Sequence, residues 1–341
     1  MKILHKTFAV LACAAAASAC VMVSACADNT SEGNFSYTVA MPDGAPALAA
    51  AQLMVEDMQF GGEVEYKVVN SNAIAQQISG KSADVCILPV NAAVQLAGNG
   101  ETYSLLGTVT HGNLYMISAK YPDAQITVQN LSSLEGKTVG CIQLESFVGN
   151  VFKMILKANN IEYKVVESAE DAESGVVNLI NIADPASGIT PAAPYDYMIA
   201  AEPVVTAKTT AAPALKIVGD IQALYGEEGF PQAVMLAKNS VITENPDFIT
   251  DICEAVEANA EWIASDSADM SAIVSAINAN YGGATSSLNA KNLNATVISR
   301  CAIEFVSASD CKQEVISFID KFEEVTGATL TIADSFFYNV K

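Results

Sequence analysis

Few residues in this chain have chemistry to offer. The whole sequence holds one arginine, Arg300, and beyond its first 25 residues one histidine, His111. A bidentate guanidinium clamp on a carboxylate or phosphate is therefore available from one position only. A lone histidine is more often a hydrogen-bonded structural residue than a catalyst. No cysteine or histidine spacing matches a metal site, and neither a metal nor a cofactor is expected. Cys86 and Cys141 lie inside apolar runs and read as small buried hydrophobes, while Cys301 and Cys311 leave open a disulfide across a short loop. What remains is hydrogen bonding by Asn, Ser, Thr, Gln and backbone groups, which suits capture of a small molecule more than reaction.

The elements that must position these groups follow one pattern, a short β-rich run, a polar joint, then an amphipathic helix. This is the signature of parallel α/β structure. The first unit is a strand over 35–41, the joint Pro42 to Pro46 and a helix over 47–58. The second is a strand over 64–69, the joint Asn70-Ser71-Asn72 and a helix over 73–79 stopped by Gly80. The third is an apolar strand over 83–89 followed by Asn91 in a short helix. An extended stretch over 104–119, interrupted by Thr110-His111-Gly112-Asn113, reads as a crossing into a second α/β set. That set has strands at 138–142, 163–166, 176–182 and 196–200 and a helix from the joint 143–146 to Ala158. Residues 184–194, with three prolines and a glycine, are expected to be irregular.

Residues 214–225 and 232–237 read as the return crossing, and the remainder as mostly helical. There Phe248, Ile252, Val256 and Trp262 form a core stripe at near-helical spacing. The expectation is a two-lobed α/β fold with two crossover strands as a hinge. The first lobe is assembled from residues 35–120 and 229–341, and the second from 121–228.

The N-terminus directs the chain out of the cytoplasm. Lys2 and Lys6 precede an apolar run from Phe8 to Val23 that is too short to span a bilayer stably. The run ends in Val23-Ser24-Ala25-Cys26, which resembles the lipobox of bacterial lipoproteins and implies lipidation of Cys26 after removal of residues 1–25. Cys20 is a second candidate, and a plain secretory signal is the alternative. Residues 26–34 are small and polar and suit a flexible tether. Removing residues 1–25 takes away Lys2 and Lys6 and no acid, leaving 38 acids against 15 bases, a net charge of −23. Such a surface excludes nucleic acid as a natural partner. A cationic ligand is allowed by this charge and not demanded by it.

In open α/β sheets, ligands bind outside the carboxyl ends of the strands. The joints are therefore the candidate site, and the residues singled out are Asp43, Gly44, Ala45, Asn72, Asn91, Thr110, His111, Ser146, Phe147 and Glu202. Several have a structural reading beside the ligand-binding one. Asp43 and Asn72 suit a turn or helix cap. Phe147, like Tyr115, is equally a core residue or a platform for a planar ligand.

Four of these stretches carry a resemblance: Met41-Pro42-Asp43-Gly44-Ala45-Pro46, the run Ala83 to Ala93, Thr110-His111-Gly112-Asn113-Leu114-Tyr115, and the run Asp196 to Pro203. They resemble the solute-binding family assigned to nitrate, sulfonate, taurine, bicarbonate and thiamine-pyrimidine uptake. The resemblance implies a type II periplasmic-binding-protein fold, closure of two lobes on a small organic or oxyanionic solute, and ABC permease and ATPase partners. A monomer that performs no chemistry on its ligand is the expectation. Thiamine-pyrimidine synthases share this fold, so an enzyme is the alternative, although the chain lacks their adjacent cysteines. A surface sensory lipoprotein without a transport role is a third reading.

Overall fold

The computed structural model describes residues 35–226 and 229–339 of the 341-residue chain. The apolar leader, Cys26 and the tether to residue 34 lie outside the described residues.

The chain builds one six-stranded sheet, leaves it, builds a second, and returns. The first segment contains β1 (Ser36–Pro42), α1 (Ala45–Leu48), α2 (Ala51–Val55), β2 (Glu63–Val69), α3 (Ile74–Ser79), β3 (Val85–Pro89), α4 (Val90–Ala97) and β4 (Tyr103–Thr110). The second contains β5 (Leu114–Ser118), a 3-10 turn (Val128–Leu134), β6 (Thr138–Ile142), α5 (Phe147–Ala158), β7 (Tyr163–Val165), β8 (Val177–Ile182), α6 (Pro185–Gly188), β9 (Tyr197–Ala201), α7 (Val204–Ala211), β10 (Lys216–Asp220) and α8 (Ile221–Tyr225). The return supplies β11 (Ala233–Lys238), α9 (Asn239–Glu244), α10 (Pro246–Ala264), α11 (Met270–Ala279), α12 (Ala295–Arg300), β12 (Ile303–Ser307) and α13 (Ala308–Thr326).

The first sheet has the order β12-β4-β11-β3-β1-β2 and the second β10-β5-β9-β6-β8-β7. Strands β1, β2 and β3 run parallel, and β11 is antiparallel to β3 and β4. In the second sheet β6 to β9 run parallel, while β5 is antiparallel to β9 and β10. The change of sheet falls at residues 111–113, inside the stretch expected to cross and ahead of residue 120, because β5 hydrogen-bonds to β9. The return runs through 221–232. Pro89, at the end of β3, pairs with Ala233 at the start of β11, and Ala201, at the end of β9, pairs with Leu114 at the start of β5. The carboxyl ends of both parallel strand sets thus face the two crossings.

Three differences from the sequence expectations have physical causes. The helix expected over 47–58 is broken at Ala49-Ala50, because buried Asn259 of α10 inserts there. Its Oδ1 accepts the Gln52 N–H at 2.8 Å and its Nδ2 donates to the Leu48 carbonyl at 3.0 Å. The C-terminal third is mostly helical as expected, but also contributes β12 on the edge of the first sheet, entered through Ala302 at φ 46°. The segment 184–194 contains the short α6.

Two apolar clusters fill the two faces of the first sheet and a third fills one face of the second. The expected stripe on α10 holds, with Phe248, Ile252 and Val256 buried and Trp262 half-buried. One cluster spans both lobes. Phe147 at the start of α5 packs on Phe318 of α13 with ring centroids 5.7 Å apart and on Phe230 of the return crossing at 5.9 Å. Beside it Lys157 of α5 pairs with Glu324 of α13 at 3.1 Å. All five described cysteines are free thiols, so Cys301 and Cys311 do not pair; they sit in different apolar clusters.

Candidate functional site: the strand-end cleft and its hinge

The two crossings are tied together by side-chain amides. Gln232 donates from Nε2 to Asn113 Oδ1 at 2.7 Å, and Asn113 donates from Nδ2 to the Glu202 carbonyl at 3.0 Å. The Glu202 N–H returns to the Asn113 carbonyl at 2.8 Å. Thr110, fully buried, accepts the Ala233 N–H on Oγ1 at 3.2 Å. The His111 N–H donates to the Ala302 carbonyl at 2.9 Å, and its Nε2 lies 3.1 Å from Thr108 Oγ1. Thr110 and His111 therefore act in the hinge, where each fixes one strand end to another.

Glu202 joins the lobes. Its side chain is fully buried, its Oε2 accepts the Thr206 N–H at 3.0 Å, and its Oε1 accepts the Thr206 hydroxyl at 2.8 Å. Arg300 of the first lobe reaches the same Oε1 at 3.5 Å and is one-third exposed. A buried carboxylate needs such partners to offset its lost hydration. The sole arginine is thus engaged across the hinge, a pairing no local spacing announces.

In the first lobe, Asp43 holds a distant loop rather than capping α1. Its Oδ1 accepts from the Ser286 hydroxyl at 2.5 Å and its Oδ2 from the Ser287 N–H at 2.7 Å. Gly44 adopts φ 105°, a conformation that L side chains rarely enter, and turns the chain into α1, whose first residue Ala45 is buried. Asn72 is exposed and lies one residue ahead of Ala73, which occupies the N-cap of α3, so it is not the cap. Asn91 is the most informative of the set. Its Oδ1 is buried without a hydrogen-bond partner, and so is Oε1 of Gln232. The two residues are neighbours, since the Val90 N–H donates to the Gln232 carbonyl at 3.0 Å.

In the second lobe, Ser146 occupies the N-cap of α5 but turns its hydroxyl back to the Gln143 carbonyl at 2.7 Å, and the helix start has no side-chain cap. Phe147 is 9% exposed and belongs to the aromatic cluster between the lobes, so its ring is a packing surface and not a free platform. Tyr115 is likewise buried. Its phenol is pushed well up, first by burial and then by the Asp220 carboxylate, with Arg300 opposing, and it stays a neutral donor.

A separate cavity of about 1100 Å³ lies on the outer side of the hinge, beside the edge strands β10 and β12. His111, Tyr115, Thr127, Asp220 and Arg300 line it, and of the ten expected binding residues only His111 is among its walls. Among the described residues no group of three or more His, Cys, Asp or Glu is placed to hold a metal ion. No described helix is long and apolar enough to cross a membrane.

Sequence reasoning placed Asn113 in a candidate joint and singled out Arg300 and Glu202, but missed Gln232 and the pairing of Arg300 with Glu202. Gln232 follows Pro231 as a polar residue at the head of an apolar strand, a faint signal. Its place beside Asn91 depends on antiparallel pairing of strands nearly 150 residues apart in sequence, which no window registers.

No protein-family model matches the chain, and no curated protein sequence matches it. Solved structures do share its fold. An ABC transporter protein from Parabacteroides distasonis superposes with a TM-score of 0.66 at 16% identity, covering 89% of this chain and 99% of that one. The periplasmic aliphatic sulphonate binding protein of Escherichia coli gives 0.62 at 12% identity, covering 90% and 92%. The ligand-binding component of an ABC-type import system from Staphylococcus aureus, solved with zinc bound, gives 0.57 at 9%, covering 89% and 96%. The architecture is the two-lobed type II periplasmic-binding-protein fold.

Proposed function

We propose that this chain is the extracytoplasmic solute-binding component of an ABC importer, tethered to the membrane by lipid on Cys26, and that it captures a small solute between its lobes. The observation that carries the reading is the arrangement of the crossings. Two sheets turn the carboxyl ends of their parallel strands toward one hinge, which supports a site built from the joints 43–46, 70–72 and 89–92 of one lobe and 143–147 and 202–206 of the other. Solved chains of the same fold include components described as sulphonate-binding and as ligand-binding.

Chemistry narrows the solute class. Asn91 Oδ1 and Gln232 Oε1 are buried acceptors without partners, and each costs about 1–3 kcal/mol while it stays unsatisfied. Both atoms are closed to solvent, so a solute reaches them only as the surrounding joints part; one that offers N–H or O–H groups then satisfies them, and a bare oxyanion such as nitrate does not. The uncapped start of α5 beside Ser146 adds backbone donors for a negatively charged end of the same molecule. The reading is therefore a small polar organic solute with donors at one end.

A thermal-shift panel of aliphatic sulfonates, taurine, nitrate, bicarbonate, pyrimidines and amino acids tests it. A true ligand at a hundred times its Kd stabilises by about 2.7 kcal/mol, and Asn91→Ala weakens its binding about tenfold. Absence of any shift across the panel contradicts the proposal. Membrane fractionation tests the anchor: Cys26→Ser releases the chain, and retention of the variant on membranes rules out lipidation at that residue.

A further inference from the structure

The outer hinge cavity has the makings of a site of its own. We propose that it is a second binding site, specific for a zwitterion of the α-amino-acid type with an apolar side chain, and that its occupation biases the angle between the lobes.

The polar groups sit in one arc around Tyr115. Arg300 places its guanidinium carbon 5.7 Å from the centroid of the Tyr115 ring, and the Tyr115 hydroxyl donates to the Arg300 carbonyl at 3.4 Å. Asp220 is the cross-strand partner of Tyr115 in the β10–β5 pair. Arg300, Tyr115 and Asp220 all line the cavity. Glu202 already holds two hydrogen bonds from Thr206 and meets the guanidinium only at 3.5 Å, so the fork keeps N–H donors for a carboxylate. Asp220 spends Oδ1 on the Ala223 N–H and on Gln222 Nε2, and its Oδ2 accepts no described hydrogen bond. A cation on one side and a half-used carboxylate on the other match a carboxylate and an ammonium on one small molecule.

The apolar part of the wall comes from Ile126, Ile217, Ile298 and Ile303, and the polar remainder includes Gln125, Gln129, Ser299 and a second acid, Glu304. The volume of about 1100 Å³ lies just above the range of small-molecule pockets, roughly 300–1,000 Å³, so a large aliphatic or aromatic side chain fits.

The cavity walls come from both lobes: 125–129 and 217–224 from the second, 260, 264 and 295–304 from the first. A change in lobe angle must change its shape. A ligand that prefers one shape therefore shifts the lobe equilibrium, and by linkage the solute in the strand-end cleft shifts its affinity in return. This coupling rests on the capture reading above; the binding itself does not.

Calorimetric titration of the mature chain with leucine, N-acetylleucine and leucinamide tests the site. Leucine is expected to bind one to one, and either blocked derivative at least tenfold more weakly. Arg300→Gln is expected to cost at least tenfold. Because that change also leaves buried Glu202 without its cation, Ala295→Trp is the second variant. Ala295 is exposed at the start of α12 and lines the cavity, so an indole there narrows the cavity while both members of the Arg300–Glu202 pair are retained. Failure of leucine, phenylalanine and valine to bind the wild-type chain overturns the inference. So does binding that persists in Ala295→Trp and disappears in Asn91→Ala, which assigns it to the strand-end cleft. A thermal shift from another solute that survives Ala295→Trp supports the capture reading independently.

Discussion

Replacing Glu202 by glutamine tests the hinge at its most buried charge. The carboxylate is fully enclosed, and each oxygen has work: Oε2 takes the Thr206 N–H, and Oε1 takes the Thr206 hydroxyl while facing Arg300 at 3.5 Å. A glutamine amide keeps one acceptor oxygen and turns an NH2 group toward a donor. With the oxygen left to Thr206, the amide hydrogens oppose Arg300; reversed, the Thr206 N–H is orphaned at about 1–3 kcal/mol. Removing one partner of a fully buried pair costs roughly 3–5 kcal/mol. Arg300 is one-third exposed and recovers part of its solvation, which brings the expected loss below that range, to about 2–3 kcal/mol. Urea unfolding followed by Trp262 fluorescence and by circular dichroism reads the change. Arg300→Gln and the double variant complete a cycle, in which a coupling energy of about 1–2 kcal/mol is expected. If Glu202→Gln stays within roughly 0.5 kcal/mol of wild type and the coupling is zero, the two lobes are not joined through this pair.

Phe318 is fully buried at the centre of the aromatic contact between α13 and α5, so Phe318→Ala is expected to cost about 3–5 kcal/mol and to speed amide exchange at the start of α5. A loss below about 1 kcal/mol would mean that the contact does not bear on stability. Asp43→Ala frees the loop at Ser286 and Ser287, with about 1–2 kcal/mol lost and faster amide exchange at Ser287; unchanged exchange contradicts the bonding described. The thiols of Cys141 and Cys253 are pushed up to about 12 and that of Cys311 to about 11, in each case chiefly by burial. A folded-state pKa above the unfolded value favours the folded state fully below the unfolded pKa and is lost as pH rises toward the folded one. Melting temperature is therefore expected to fall progressively from about pH 9 upward, and native thiols to resist alkylation at pH 8. Rapid labelling of more than one thiol per chain at that pH contradicts the burial.

The parallel units were legible because a buried strand and its following helix write their own periodicity. Thr138–Ile142 and the end of α5 at Ala158 fall where the pattern places them. Both crossings were also visible, since Thr110-His111-Gly112-Asn113 interrupts an otherwise apolar stretch and marks the place where β4 gives way to β5. The break between α1 and α2 was not, because Ala47 to Met58 has ample helix propensity and the interruption comes from Asn259, 211 residues from Leu48. β12 escaped because an edge strand of half-buried residues carries no continuous apolar run.

The site divides in the same way. Asn91 was singled out by type and position; it lies in the first turn of α4, just past β3, and its buried, unpartnered Oδ1 supports the ligand-binding reading proposed for it. Asp43 and Thr110 have the right types at the right joints, yet their oxygens are engaged by Ser286, Ser287 and Ala233. Phe147 is drawn into the core by Phe230 and Phe318, which come from elsewhere in the chain. Partners of this kind are set by tertiary pairing, and spacing along the chain does not encode them.

Capture by closure of the lobes is tested most directly by small-angle X-ray scattering of the mature chain with and without the strongest thermal-shift ligand. Saturating ligand is expected to reduce the radius of gyration and to shorten the maximum dimension, with Asn91→Ala requiring about tenfold more ligand for the same change, about 1.4 kcal/mol. A ligand that binds one to one with no change in the scattering curve contradicts closure on the solute.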